Sequence, residues 1–323
     1  MSGADAIEAD GLVKRYGETV ALDGVSFTVR KGTVCGLLGP NGAGKTTAVR
    51  ILTTLAQADG GVGRVAGLDV ATEGAAVRRV IGLAAQGATV DSLLTGRENL
   101  VMIGELHHLG KRLAAARADE LLEQFSLTDA SARLTKTYSG GMRRRLDLAA
   151  TLVATPEVLF LDEPTTGLDP RARNELWDVL DTLVGQGTTV LLTTQYLDEA
   201  DRLADDIVVI DHGRVIARGD SRELKRQVGG AKVFVTVVDP SRLAEVATFV
   251  EAATGATPSI DTGGRTIEAP TEAGPRVVSA LAESLTDASV DVEEIGLRQP
   301  TLDDVFLTLT GQPTEAVPEE ATR

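Results

Sequence analysis

Short, almost continuously apolar runs alternate with longer stretches of helical periodicity from the N-terminus to about residue 228. The runs over 25–30, 33–38, 81–85, 158–161, 188–193 and 207–210 read as strands. Patterns over 45–55, 97–109, 113–125, 140–153 and 171–184 read as helices. Short apolar strands in alternation with helices predict a mostly parallel sheet covered on both faces, an α/β fold. The opening stretch, 7–14 and 20–30, reads instead as an antiparallel β layer.

Past Gly229-Gly230 the pattern changes. A strand over 232–238 is followed by a helix over 241–253 and a hairpin over 259–268 that turns at Gly263-Gly264. A helix over 275–285, a strand over 290–297 and a short helix over 302–309 complete the series. The order βαββαβ predicts a small ferredoxin-like α+β domain. The Pro/Glu-rich segment 311–323 reads as a disordered tail. The predicted organisation is a large domain over 5–228, an accessory domain over 231–310 and that tail.

No run approaches the ~18 uninterrupted apolar residues of a membrane-spanning helix. The small, acidic start, residues 1–10, lacks the basic and apolar regions of a secretory signal. Work at a membrane would therefore need a partner to hold the chain there. The one cysteine, Cys35, cannot form an intramolecular disulfide and reads as a small buried hydrophobe, in keeping with a cytosolic protein. The net charge is −15, and residues 230–323 carry −10 of it, with 16 acidic and 6 basic residues. A chain of that sign repels phosphate backbones, which argues against nucleic acid as a partner.

One stretch carries specific chemistry. Gly39-Pro40-Asn41-Gly42-Ala43-Gly44-Lys45-Thr46-Thr47 fits G-x-x-x-x-G-K-[ST] between a predicted strand and a predicted helix. Its glycines let backbone N–H groups point inward at phosphate oxygens, and the helix start adds a favourable dipole. Lys45 is placed to meet the β- and γ-phosphates, and the Thr46 hydroxyl to ligate Mg²⁺. A dinucleotide fingerprint does not fit, because its third glycine would fall at Thr47.

A second apolar strand ends in Asp162-Glu163, so two carboxylates emerge at its carboxyl edge, where α/β sheets bind ligands. Asp162 suits the Mg²⁺ shell, and Glu163 is placed to orient or deprotonate an attacking water.

With these motifs and Tyr138-Ser139-Gly140-Gly141-Met142, the chain resembles the ATP-binding subunit of an ABC transporter, whose signature is usually written LSGGQ. Ser139 would cap the following helix, and its start with the Gly140 and Gly141 amides would form a second anion site. In the family that site reaches across a head-to-tail dimer to the γ-phosphate on the other subunit. Tyr138 replaces the usual Leu and Met142 the usual Gln, changes that leave the serine and glycines in place.

The resemblance extends to further positions. Tyr16 is similar to the aromatic that stacks on adenine. Gln86 is similar to the glutamine that senses Mg²⁺ and the attacking water, and it opens a transporter-coupling region running to Asn99. Leu168-Asp169 is similar to the loop through which the two subunits sense each other. Gln195 stands where the family usually has a histidine on the γ-phosphate; it can donate a hydrogen bond but carries no proton charge, so slower hydrolysis is expected. Residues 296–306, with the Gln195 variant, resemble the daunorubicin-resistance branch, whose members serve bacterial drug or lipid exporters.

The resemblance implies a P-loop NTPase fold with a helical subdomain over about 87–155, and ATP and Mg²⁺ as cofactors. It also implies a homodimer in the ATP-bound state, a separate membrane permease as partner, and a peripheral place on the cytoplasmic face of the cell membrane. A soluble ABC protein acting on ribosomes or DNA is the rival reading, and the chain has neither sustained heptads nor a basic arm to support it. A binding module without turnover is opposed by Glu163.

Overall fold

The computed structural model describes residues 5–85, 90–228 and 230–310. The predicted tail lies outside the described residues. The chain divides into two compact units, with the boundary between Ser221 and Arg222.

In the first unit, six strands form a sheet in the order Arg214–Gly219, Asp206–Asp211, Val34–Leu38, Thr189–Thr194, Val158–Asp162 and Ile81–Ala84. The first pairing is antiparallel and the other four are parallel. Side chains alternate between two cores, which is why these strands read as unbroken apolar runs. Val34, Leu159, Leu161, Val190 and Leu192 enter one core. Cys35, Leu37, Val158, Phe160 and Leu191 enter the other. That second core also holds Ala48, Val49, Ile51 and Leu52 of the helix Lys45–Leu52. The helix following the phosphate loop is thus anchored on its apolar face, each fully buried Leu or Ile contributing roughly 1.5–3 kcal/mol.

The antiparallel layer has the order Thr19–Arg30, Asp5–Tyr16, Gly60–Val65 and Leu68–Asp69. Its Ile7, Leu12, Leu22, Val25, Phe27 and Val65 close the same core. The helices Gly96–Leu106, Lys111–Gln124 and Gly140–Thr151 form the helical part around Leu100, Leu121, Phe125 and Leu146. Thr95 and Glu98 make a reciprocal capping box at the start of the first of these, an arrangement worth about 1 kcal/mol.

The helix expected over 45–55 stops at Leu52. Thr53 turns its hydroxyl onto Val49 O at 2.8 Å, and Thr54 takes a left-handed φ of 65° that no helix continues.

In the second unit, four antiparallel strands have the order Ser259–Asp261, Thr266–Pro270, Lys232–Val237 and Val292–Arg298. The helices Leu243–Thr254 and Pro275–Asp287 give Val246, Val250, Val277 and Leu281 to one core with Val233, Val235 and Ile267. The strand order within this βαββαβ unit is that of a ferredoxin-like fold.

Candidate active site

Three neighbouring parallel strands end at one edge of the six-stranded sheet, with Leu38 in register with Thr194 and Thr193 in register with Asp162. That edge gathers the phosphate loop after Leu38, the acids Asp162 and Glu163, and Gln195. A sheet of parallel strands presents its ligand crevice at this end.

The loop curls tightly before the helix. Gly44 has φ 111°, and a Cβ there would lie 2.5 Å from Ala21 O, so only glycine fits. No side chain caps the helix start at Gly44, which leaves its amides to an anion. Lys45 is 5% exposed, and its ammonium donates to Gly39 O at 2.7 Å and Pro40 O at 3.0 Å. Burial lowers the Lys45 pKa, while the charges of Glu163 and Asp162 act to raise it. A cavity of ≈ 260 Å³ is lined by the loop from Asn41 to Thr47, with Thr19, Ala21 and Glu163 around it.

Asp162 is almost fully buried and is held by two hydroxyls. Thr46 Oγ1 donates to its Oδ1 at 3.2 Å and Thr193 Oγ1 to the same atom at 2.6 Å. Glu163 has a left-handed φ of 49°. Its N–H donates to both Thr193 O and Thr193 Oγ1, each at 3.1 Å. Among the described residues no group of three or more His, Cys, Asp or Glu could hold a metal. The oxygen set of Thr46 and Asp162 suits Mg²⁺, which takes one or two carboxylates and completes its shell from phosphates and water.

Of the other predicted site residues, Gln195 shares this sheet edge, while Ser139, Asp169 and Tyr16 sit on other elements. Ser139 caps the helix Gly140–Thr151, accepting from Met142 N at 3.2 Å. Tyr138, in place of leucine, is buried and donates to Ala130 O at 2.7 Å. A Cβ on Gly96 would lie 2.2 Å from that hydroxyl, so the tyrosine keys the signature to the helical part. Asp169 caps the helix Pro170–Gly185 through Ala172 N at 2.8 Å. Tyr16 is 48% exposed, with the Lys14 ammonium 5.4 Å from its ring centre. Gln195 is half-buried just after the strand Thr189–Thr194. Gln86 lies outside the described residues. Further along its segment, Asn99 is fully buried and braces the loop before it, accepting from Asp91 N at 2.7 Å and donating to Thr95 O at 2.9 Å.

Sequence reasoning passed over a buried polar group near Thr194, Thr165 and Trp177. Glu199, on the helix Leu197–Leu203, is fully buried, and neither of its oxygens has a hydrogen-bond partner among the described residues. Thr165 Oγ1 and Trp177 Nε1 are likewise buried and unpartnered. Burial pushes the Glu199 pKa up to about 7, with the Thr194, Thr165 and Trp177 polar groups opposing the rise. A carboxyl raised in this way is held protonated by the folded chain at pH values where the unfolded chain has lost the proton. Stability therefore falls as pH rises from the ordinary value of 4.5 to about 7, and the deficit persists above that. Glu199→Gln is expected to flatten this part of the pH–stability curve and to gain about 1–3 kcal/mol at alkaline pH. Denaturant unfolding across the range checks it; a mutant curve parallel to wild type contradicts it.

The fold and this site define a P-loop nucleotide-binding ATPase. The model of the ABC transporter family matches residues 22–166. A daunorubicin resistance ATP-binding protein of Streptomyces coeruleorubidus is 56% identical over 96% of this chain and 96% of its own length. The daunorubicin/doxorubicin resistance ATP-binding protein of Streptomyces peucetius is 52% identical over 96% of this chain and 94% of its own length. Among solved structures, an ATP-binding subunit of an ABC transporter superposes with a TM-score of 0.63 at 27% identity, covering 69% of this chain and 92% of that one. The chain belongs to the ABC transporter family, as an ATP-binding and ATP-hydrolysing subunit closely related to the daunorubicin/doxorubicin resistance ATP-binding proteins. Membership of this family implies ATP and Mg²⁺, pairing of two such subunits, and a membrane permease. Among the described residues no helix is long and apolar enough to cross a membrane.

Proposed function

We propose that this chain, over 5–228, closes as a homodimer around two Mg-ATP on the cytoplasmic face of a membrane and powers a separate permease that exports a drug or lipid. The segment 231–310 serves as its accessory domain. The observation that carries the reading is the convergence of Lys45, Thr46, Asp162 and Glu163 at one sheet edge. When bound, Mg-ATP supplies the phosphoanhydride whose cleavage releases the energy.

The site geometry and the family resemblance together support the following roles. The Gly39–Thr47 segment wraps the phosphates with its amides, and Lys45 turns from its two carbonyls to the β- and γ-oxygens. Thr46 and Asp162 would hold Mg²⁺, and the family resemblance gives Gln86, outside the described residues, a share in that task. Glu163 takes the proton of the attacking water, and Gln195 donates a hydrogen bond at the γ-phosphate. Tyr16, exposed at the end of its strand, stacks on the base. Ser139, Gly140 and Gly141 bind the phosphate held by the partner copy, and Asp169 places the subunit-sensing loop beside it. One set of motifs per chain requires two copies for a complete motor, and a two-fold dimer is the simplest closure.

Cargo class rests on the relatives, which are named for resistance to daunorubicin and doxorubicin. The test is co-purification with a candidate membrane permease. Co-elution and ATPase activity stimulated by an anthracycline or a lipid support the reading. A complex that forms but whose turnover responds to neither removes the cargo assignment, and failure to bind any permease removes the transport role.

A further inference from the structure

The signature helix carries a side chain that no role above uses. Arg144 lies on the helix Gly140–Thr151, and its three nitrogens donate to main-chain carbonyls of two other segments. Nε donates to Pro164 O at 2.8 Å and Nη1 to Ala85 O at 2.9 Å. Nη2 lies 3.4 Å from Asp162 O and 3.3 Å from Glu163 O. One guanidinium therefore gathers the turn that bears both acids and the residue just before Gln86. Its planar fork suits this task, because it offers five donors in fixed directions.

The turn it holds is strained at a decisive place. Glu163, at φ 49°, sits in a region that disfavours side chains, which costs roughly 1–3 kcal/mol unless the surroundings impose it. Thr193 fixes the peptide on one side of Glu163 through its N–H, and Arg144 fixes the peptide on the other side through the carbonyl. Together they set the direction in which the Glu163 carboxylate leaves the backbone. The same helix begins at Gly140 behind its cap Ser139, four and five residues before Arg144 in the chain. A helix transmits displacement along its axis with a rise of about 1.5 Å per residue, so Arg144 lies roughly 6–8 Å from the helix start.

We propose that Arg144 is a positioning residue for hydrolysis, tying the aim of Glu163 to the seating of its own subunit's signature helix on the partner's nucleotide. The proposal rests on the reading of Glu163 and the signature given above. It makes the two sites of a dimer interdependent. A subunit whose signature helix has docked presents its own carboxylate correctly; one whose helix is displaced does not.

The test uses the full chain as Arg144→Gln and Arg144→Lys. Lysine keeps the charge but, as a single point donor, cannot reach both segments at once. In nucleotide-free protein, amide hydrogen exchange of residues 162–166 is expected to rise at least 10-fold in Arg144→Gln, with exchange across the helix Lys45–Leu52 unchanged. ATP affinity should stay within 2-fold of wild type, while kcat falls 10-fold or more at similar KM. Arg144→Lys should fall between the two. In a Glu163→Gln background, Arg144→Gln should cause no further loss of turnover. Should Arg144→Gln fold poorly, the same exchange and kcat comparisons are made on Arg144→Lys. Unchanged exchange over 162–166 with unchanged kcat, an additive loss beside Glu163→Gln, or an equal loss of ATP affinity would each overturn the proposal. A wild type that neither binds nor hydrolyses ATP would instead overturn the underlying site.

Discussion

Lys45→Ala is expected to weaken ATP binding by about 30- to 1,000-fold. A charge-assisted hydrogen bond is worth about 1.5–3 kcal/mol, and Lys45 is placed for two of them on the phosphates. The gain is an exchange, because the ammonium already donates to Gly39 O and Pro40 O. A net 2–4 kcal/mol is therefore a better measure than the full sum, and 1.4 kcal/mol corresponds to about tenfold. Burial makes the substitution harsher. Lys45 lies in a pocket shared with Glu163, so removing it takes away a positive charge that offsets that carboxylate as phosphate enters. Calorimetric titration with Mg-ATP measures the effect; equal affinity in mutant and wild type would falsify the phosphate-loop assignment.

Glu163→Gln is expected to leave ATP affinity within a few-fold and to lower turnover by about 10²–10⁴, the range a positioned general base supplies. Glutamine preserves the shape of the side chain and the backbone bonds to Thr193, which involve only the Glu163 N–H. What it loses is the ability to take a proton. Because reopening of the dimer depends on hydrolysis, the mutant should also accumulate as an ATP-bound dimer visible by sedimentation. Unchanged turnover, or a protein that stays monomeric in saturating ATP, contradicts the role given to this carboxylate.

Much of this molecule was legible before its structure. The central strands were readable because each is buried on both faces, which leaves unbroken apolar runs such as residues 158–161. The phosphate loop was readable because its glycines and lysine have a fixed spacing. Less legible was the strand Gly60–Val65, whose glycines look like a turn. Gly61 is there because a Cβ would stand 2.2 Å from Gly11 O, a clash between strands that single-sequence periodicity does not register. Arg144 was hidden in the run Arg143-Arg144-Arg145, where only the helix phase separates three different fates. Arg143 is exposed, Arg145 pairs with Glu175 at 2.8 Å, and Arg144 turns to the carbonyls. The one hint is that Arg144 lies three residues before the buried Asp147, on the same face of the helix. Glu199 was hidden for a similar reason, since acid-rich Asp198-Glu199 at a helix start ordinarily reads as solvated surface.

The measurement closest to the central claim is release of inorganic phosphate from ATP by the chain held with its permease, with and without Mg²⁺, beside Lys45→Ala and Glu163→Gln. The expected result is Mg²⁺-dependent release that saturates with ATP, is absent without the metal, and is lost in both variants for different reasons: binding in the first, turnover in the second. Phosphate release that persists in Lys45→Ala, or that is indifferent to Mg²⁺, would contradict the account.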